Sequence, residues 1–386
     1  MICDLRGVAR VRRGRREFVE IGPRYDEGAR RKIEKQEQEN LPSAGQAVFL
    51  QGNRFFGEAA KRTFMESFAI GVDLGGTNLR IAAVTPEGER LETISLRTRL
   101  EAGPAAVLDD MAAAIAEIAG KQSGEPVGIG VGSPGPLELP AGVLHHPPNL
   151  PGFDGLHLRD ELERRVGWAV HVDSDGNLAA YGEALLGAGR AFGLESLMMY
   201  TLGTGVGSGI VLEGRIWRGM QGAAGESGHG PLAPDGPVCG CGARGCLEMY
   251  ASATAIVRRA KDLGLGESGA PLTSSGVAKL AEQGDARGLQ VFDEAGRALG
   301  LSLAHAINAL DLPLYVIGGG AAAAWTLFAP RMFATVREGS YVYRMSMPRA
   351  PEVFEKGKTH IAPARLGSEA GILGAALLPM REAGLG

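Results

Sequence analysis

"FAIGVDLGGTNLRIAAVT", residues 68–85, reads as two apolar strands joined by a tight turn at Gly75 and Gly76, with Asp73 at the end of the first strand. A second stretch, "SLMMYTLGTGVGSGIVLEGRIW" (196–217), is another glycine-turned hairpin of the same kind. Two such hairpins, about 130 residues apart, predict two related α/β halves whose sheets are mixed rather than wholly parallel. Between them lie an amphipathic helix near 105–120, a strand in "VGIGVGSPGPLE" (127–138) that breaks into a Gly/Pro loop, a strand "WAVHVDSD" (168–175) and a helix "GNLAAYGEALLGAG" (176–189). Farther on, "LYVIGGGAAAAW" (314–325) reads as a buried strand running through three glycines into an Ala-rich helix.

The composition sets limits on what these halves do. With 386 residues and 45% hydrophobic content the chain is long enough for two ordinary domains, and its mean hydropathy near zero is that of a soluble globular protein. No run approaches the roughly 20 uninterrupted apolar residues of a spanning helix, so no membrane partner is expected. Four cysteines exclude a disulfide framework, and a cytoplasmic location is expected. The net charge of −4 argues against a nucleic-acid partner.

Residues 1–64 read differently, with 14 Lys+Arg against 9 Asp+Glu, where the remaining chain has 26 against 35. Runs such as "RVRRGRREF" carry neither helical nor strand periodicity, and acidic residues follow the Arg pairs where an export signal would need an apolar segment. A basic, disordered extension, or translated sequence upstream of a start at Met65, is the expectation.

Glycine-rich turns let backbone N–H groups approach a phosphate with no Cβ in the way. In "DLGGTN" (73–78), Asp73 is suited to hold Mg²⁺ through water and Thr77 to meet a phosphate oxygen; "GTGVGSG" (203–209) supplies Thr204 and Gly205 in the same style. Neither loop matches the single-strand phosphate loop or the dinucleotide fingerprint, because no Gly-Lys-Ser/Thr follows and no helix starts directly after the glycines. The glycines of 318–320 suit either a flat nucleoside or a helix N-terminus.

"CGCGARGC" (239–246) places three of the four cysteines within eight residues. Cys239, Cys241 and Cys246 offer three thiolates, and His229 completes an H-x9-C-x-C-x4-C set. A structural Cys3His zinc site is expected rather than an iron–sulfur cluster or a redox pair. Glu226 and Glu248 flank it. Two glutamates braced by a metal knot are suited to accept the hydroxyls of a polyol. A carboxylate stands at Asp175, at the start of a helix, where it would also serve as an N-cap.

"GVDLGGTN", "GSPGPLE", "PPNLPGF", "TLGTGVGSGIV", "GAAGESGHG", "CGCGARGCLE" and "VIGGG" occur in the order and spacing of the ROK family of sugar kinases and repressors, and the resemblance covers about residues 67–380. Within that family "EMYASATAIVRRA" (248–260) looks most like bacterial glucokinases. The resemblance implies an actin-like ATPase (ribonuclease H-like) fold, with two α/β domains around a cleft. The expected divisions are residues 65–173 plus 366–386 for the small domain and 174–365 for the large one, assembled as a homodimer or homotetramer. It implies ATP-dependent phosphorylation of glucose at the 6-hydroxyl, with Mg²⁺ accompanying ATP and a structural Zn²⁺. Asp175 matches the catalytic base. Asn149, Glu226, His229 and Glu248 match sugar contacts. Asp73, Gly75, Gly76, Thr77, Asn78, Thr204 and Gly205 match the phosphate and magnesium region, and Gly318 and Gly319 the adenosine side. Ser174 departs from the pattern, since family kinases usually carry a sugar-contacting Asn there, and serine reaches less far. Other readings are an N-acetylhexosamine kinase, a fructokinase, a polyphosphate-dependent glucokinase, or a sugar-sensing repressor. The last would need a DNA-binding segment in residues 1–64, where "LPSAGQAVFLQGNRFFG" breaks any recognition helix.

Overall fold

The computed structural model describes residues 67–266, 271–351 and 353–385, so the expectations for residues 1–64 lie outside the described residues. The first half holds strands β1 (Ala69–Leu74), β2 (Asn78–Val84), β3 (Arg90–Arg97), β4 (Ile129–Ser133) and, after a short ribbon of β5 (Leu137–Glu138) and β6 (Val143–Leu144), β7 (Val170–Ser174). They form one sheet in the order β3-β2-β1-β4-β7. The β1–β2–β3 meander is antiparallel, and β4 and β7 add in parallel. Helices α1 (Pro104–Gly120) and α2 (Leu158–Val166) close one face, with Val107, Met111, Ile115 and Leu162 packed on Ile70, Val72 and Val131.

After α3 (Asp175–Leu185) and α4 (Ala188–Phe192), the second half repeats the plan. Strands β8 (Leu197–Leu202), β9 (Val206–Leu212), β10 (Arg215–Ile216), β11 (Leu314–Gly318) and β12 (His360–Pro363) run in the order β10-β9-β8-β11-β12, with the same antiparallel meander and the same parallel additions. The helices here are α5 (Glu248–Ala251), α6 (Ala253–Asp262), α7 (Ser274–Glu282), α8 (Ala286–Leu310), α9 (Trp325–Gly339) and α10 (Tyr341–Ser346), and α11 (Ala370–Glu382) ends the described chain. This is the actin-like ATPase fold, with one strand order used twice. The three glycines after β11 lead first into a 3₁₀ turn, Gly320–Ala324; the α-helix starts only at Trp325, later than the alanine run predicts.

Alternation along the strands sorts the packing. Met198, Tyr200 and Leu202 of β8 meet Phe292, Leu299 and Leu303 of α8 and Phe328 of α9, while Leu197 and Met199 face Leu178 and Tyr181 of α3. Helices α3 and α11 fill the space between the two sheets. Their approach is so close that side chains are excluded: a Cβ on Gly130 would fall 1.8 Å from the Ala375 carbonyl oxygen, and one on Gly374 1.9 Å from that of Leu178. Backbone atoms cannot move aside as a flexible side chain can. Gly374→Ala is therefore expected to destabilise the protein by about 2–3 kcal/mol, read as a lowered midpoint of denaturant unfolding; an unchanged midpoint would mean the two helices can separate freely.

Candidate active site

The β1–β2 turn forms the floor of a cleft of about 550 Å³ lined by Asp73, Gly75, Gly76, Thr77, Asn78, Arg80 and Ser95. The Gly75 N–H bonds the Asn78 carbonyl, and the Thr98 hydroxyl donates to the Gly75 carbonyl at 2.7 Å, so the turn is held from outside. A Cβ on Gly76 would fall 2.6 Å from the Asn149 carbonyl oxygen, which places Asn149 against this turn. Asp73 pairs with Arg80, whose Nη2 and Nε donate to its Oδ2 at 2.6 and 3.2 Å. Arg80 is held in turn by the Ser368 carbonyl and Glu369. Sequence reasoning passed over Arg80. The hairpin register carries the signal, since Asp73 and Arg80 are directly opposed across β1 and β2.

The second turn, 203–205, is clamped from one direction. The Ala253 N–H bonds the Gly203 carbonyl at 2.8 Å, the Thr254 hydroxyl donates to the Thr204 carbonyl at 2.7 Å, and the Val206 N–H donates to Glu248 Oε2 at 3.0 Å. Gly318 ends β11 opposite Thr201, and Gly319 lies against Leu202, so the third glycine element stands beside the second turn. Glu248, expected as a sugar acceptor, is thus also a strut of this turn. Thr254 was not singled out from the sequence, which carries no sign that a helix-start hydroxyl reaches back fifty residues.

Asp175 opens α3 between these turns. Ser174 supplies the helix cap, its Oγ accepting the Asn177 N–H at 3.2 Å, from an extended backbone at φ −69 and ψ 147. The alternative of Asp175 as the N-cap is corrected by this geometry: Asp175 is the first helical residue, and its Oδ1 accepts only the Gly176 N–H, at 2.7 Å. The residue as a whole is exposed, yet the protein around its carboxyl strips enough water to push it up to about 6. The Gly176 N–H opposes that lift, and the charges of Asp73 and Glu226 add to it.

Glu226 precedes the 3₁₀ turn Ser227–His229, which packs so tightly on β9 that a Gly228 Cβ would meet the Val206 carbonyl at 1.9 Å. His229 turns its Nδ1 toward Cys239 Sγ, 3.5 Å away, and Cys241 and Cys246 hold their sulfurs 3.7 Å apart. All four donor atoms lie within 4.8 Å of one another. Ligands 2.3 Å from a tetrahedral ion are separated by edges of about 3.8 Å, so the donor set fits zinc. Burial pushes the Cys246 thiol up to about 12 and raises Cys239, whereas the Ala243 N–H lowers Cys241. A divalent cation bound here would supply the charge that three thiolates need. Cys239 Sγ also lies 3.6 Å from Glu248 Oε1, which connects the knot to the second turn.

Asn149 thus lies against the first turn, Glu248 and Gly319 against the second, the 3₁₀ turn of Glu226 and His229 packs on β9, and Asp73 and Glu226 are near enough to Asp175 for their charges to act on it. No helix among the described residues is long and apolar enough to cross a membrane.

The ROK family profile matches residues 69–382. The glucokinase of Halalkalibacterium halodurans is 36% identical over 329 residues, covering 81% of this chain and 95% of that enzyme. Among solved structures, a ROK hexokinase from Thermus thermophilus superimposes with a TM-score of 0.70 at 33% identity, over 83% of this chain and all of the other. A ROK glucokinase from Streptomyces griseus, solved with glucose and AMPPNP, does so with a TM-score of 0.66 at 32% identity, over 80% and 98%. N-acetylmannosamine kinases of Yersinia, 30% identical, and a ROK family transcriptional regulator, with a TM-score of 0.69 at 26% identity, also match.

Proposed function

This chain belongs to the ROK family, and from that premise we propose that it phosphorylates glucose at the 6-hydroxyl with ATP. Asp175 carries the reading. It is a carboxyl relieved of capping by Ser174, near enough to Asp73 and Glu226 to feel both charges, with its pKa raised to about 6. Such a group is ionised at neutral pH and accepts a proton more readily than an ordinary aspartate. Asp175 takes the proton of the 6-hydroxyl as that oxygen attacks the γ-phosphorus of MgATP; the bond from that phosphorus to the β-phosphate oxygen breaks, and ADP leaves. Backbone N–H groups of the two glycine turns hold the phosphates. Asp73 would hold the magnesium that accompanies ATP and would supply charge neutralisation at the phosphates, and Arg80 fixes the orientation of that carboxylate. The Gly318–Gly319 turn, packed on Met199 and Leu202 beside the second glycine turn, takes the adenosine side.

Asn149, Glu226, His229 and Glu248 bind ring hydroxyls, and with its Nδ1 toward the thiols His229 has Nε2 left for the sugar. Cys239, Cys241, Cys246 and His229 hold a structural zinc. The Ser174 Oγ accepts the helix-cap bond and keeps its O–H for the sugar, directly or through water, so its shorter reach than asparagine bears on the choice of hexose and not on the transfer step. The test is a coupled assay started at Met65, with MgATP or polyphosphate against glucose, fructose, N-acetylglucosamine and N-acetylmannosamine. Turnover confined to glucose supports the reading. Turnover confined to another hexose moves the enzyme to that kinase class, and none by a folded, zinc-loaded protein points to a sensor, for which a DNA mobility shift follows.

Glu226→Ala is expected to raise the sugar KM by about 10- to 100-fold while leaving the ATP KM within about two-fold, the difference expected for losing a charged hydrogen-bond acceptor. Equal changes in both constants would remove Glu226 from the sugar pocket.

A further inference from the structure

Two residues before Asp175 the chain buries a second carboxylate that the reaction does not use. Asp173 is fully buried near the end of β7. Its Oδ1 accepts the Ser174 N–H and the Asn177 Nδ2–H, each at 2.8 Å, and its Oδ2 accepts the Arg218 Nε–H at 2.6 Å. Arg218 comes from the other half of the molecule, two residues beyond β10, and its side chain is only 34% exposed. It opens the loop that leads to Glu226. Its carbonyl accepts the Ala224 N–H at 3.0 Å, closing that loop on itself, and Gly222 within the loop rests against Leu139 of the first half.

A carboxylate is costly to bury unless it is paired and hydrogen-bonded, and breaking such a pair from one side leaves an uncompensated charge. Yet an apolar pair would join the two halves equally well. What directional bonds add is orientation. Here one carboxylate orients the first turn of α3, where Asp175 sits, and also receives the arginine that starts the Glu226 loop. We propose that Asp173 and Arg218 form a positioning pair, which holds the proton-accepting carboxylate and the sugar-binding turn in register across the two sheets. This rests on the sugar-kinase reading. The nucleotide turns are secured separately, by Thr98, Glu248, Ala253 and Thr254, so the pair acts on sugar and transfer and not on nucleotide affinity.

The decisive protein is the full-length double variant Asp173→Asn/Arg218→Met. The asparagine oxygen still accepts from Ser174 and Asn177, and no charge is left unpaired. With whichever hexose the wild type phosphorylates, the double variant is expected to keep its thermal midpoint within a few degrees and its ATP KM within about two-fold, yet to raise the sugar KM and lower kcat by about ten-fold each. Arg218→Lys, which keeps a cation near Asp173, recovers most of the loss. A folded double variant with wild-type sugar KM and kcat overturns the proposal. So does a loss of activity that follows a fallen midpoint and a raised ATP KM together, which marks a purely structural pair. If the wild type phosphorylates no hexose, the kinase reading falls separately, and the pair is then judged by calorimetric titration with the same sugars: binding that the double variant loses supports it, and binding that both proteins keep, or that neither shows, overturns it.

Discussion

Asp175→Asn is expected to lower hexose turnover by about 10²–10⁴-fold while leaving the fold intact. The side chain keeps its size, and helix α3 keeps its start because the capping oxygen belongs to Ser174. The same environment that raises its pKa sets the pH response. Activity requires the ionised carboxylate, so kcat/KM for the sugar falls as pH drops through about 6 and is level above it. Stability runs the other way. The folded protein holds this proton more tightly than the unfolded chain, whose aspartates titrate near 3.9, so ionising Asp175 costs stability as pH rises from about 4 to about 6. The asparagine variant has no such cost, and at pH 7.5 it should melt at or above the wild-type temperature, with the gap closing toward pH 4. Paired melting curves and a pH–rate profile check both halves of this expectation. An asparagine variant that retained a tenth of wild-type turnover would show that another group takes the proton.

Loss of the metal knot is the second large effect. Cys246 is fully buried, with its sulfur against the His229 carbonyl and the Cys241 sulfur, and Cys246→Ser or a strong chelator removes the ligand set. A single-loop zinc site contributes on the order of 10 kcal/mol to ordering its own segment. Without it, the thermal midpoint is expected to fall by about 10 °C or more. The kinetic result is more specific. The knot includes His229, whose N–H bonds the Glu226 carbonyl, and through the Cys239–Glu248 contact it reaches the carboxylate that holds the 203–206 turn. Both KM values should therefore rise more than ten-fold, in contrast to Glu226→Ala, which affects the sugar alone. Metal analysis, melting curves and the two KM values on the same samples decide it. A zinc-free protein with an unchanged ATP KM would break the proposed link between knot and nucleotide turn.

Both hairpins, the duplicated halves and the H-x9-C-x-C-x4-C knot could be read from the chain because each is local: strand alternation, turn glycines and ligand spacing operate within a few residues of one another. What the sequence left unread depends on partners chosen by the fold. Ser174 reads as a departure whose sugar contact is shortened, water-mediated or lost, and only the backbone angles show that its hydroxyl also caps α3. Glu248 reads as a sugar acceptor, whereas its backbone partner at Val206 lies 42 positions away. Asp173 drew no attention because nothing in "HVDSD" shows that one aspartate is sealed from water while the other is exposed. Glu183 was equally silent, yet it is fully buried and accepts the N–H groups of Ala188, Arg365 and Leu366, tying α3 to the segment that leads into α11.

The repeated strand order has a mechanical result. In each half the strand that enters the glycine turn, β1 or β8, is the third of five, hydrogen-bonded to a neighbour on either side. Central strands are the last to open in a sheet, so their amides should be among the slowest in the molecule to exchange with deuterium. The two turns are thus rooted in the stiffest part of each half, like teeth set in opposing jaws. Any change in the bite between them must come from tilting the halves as units, because neither tooth can bend in its socket.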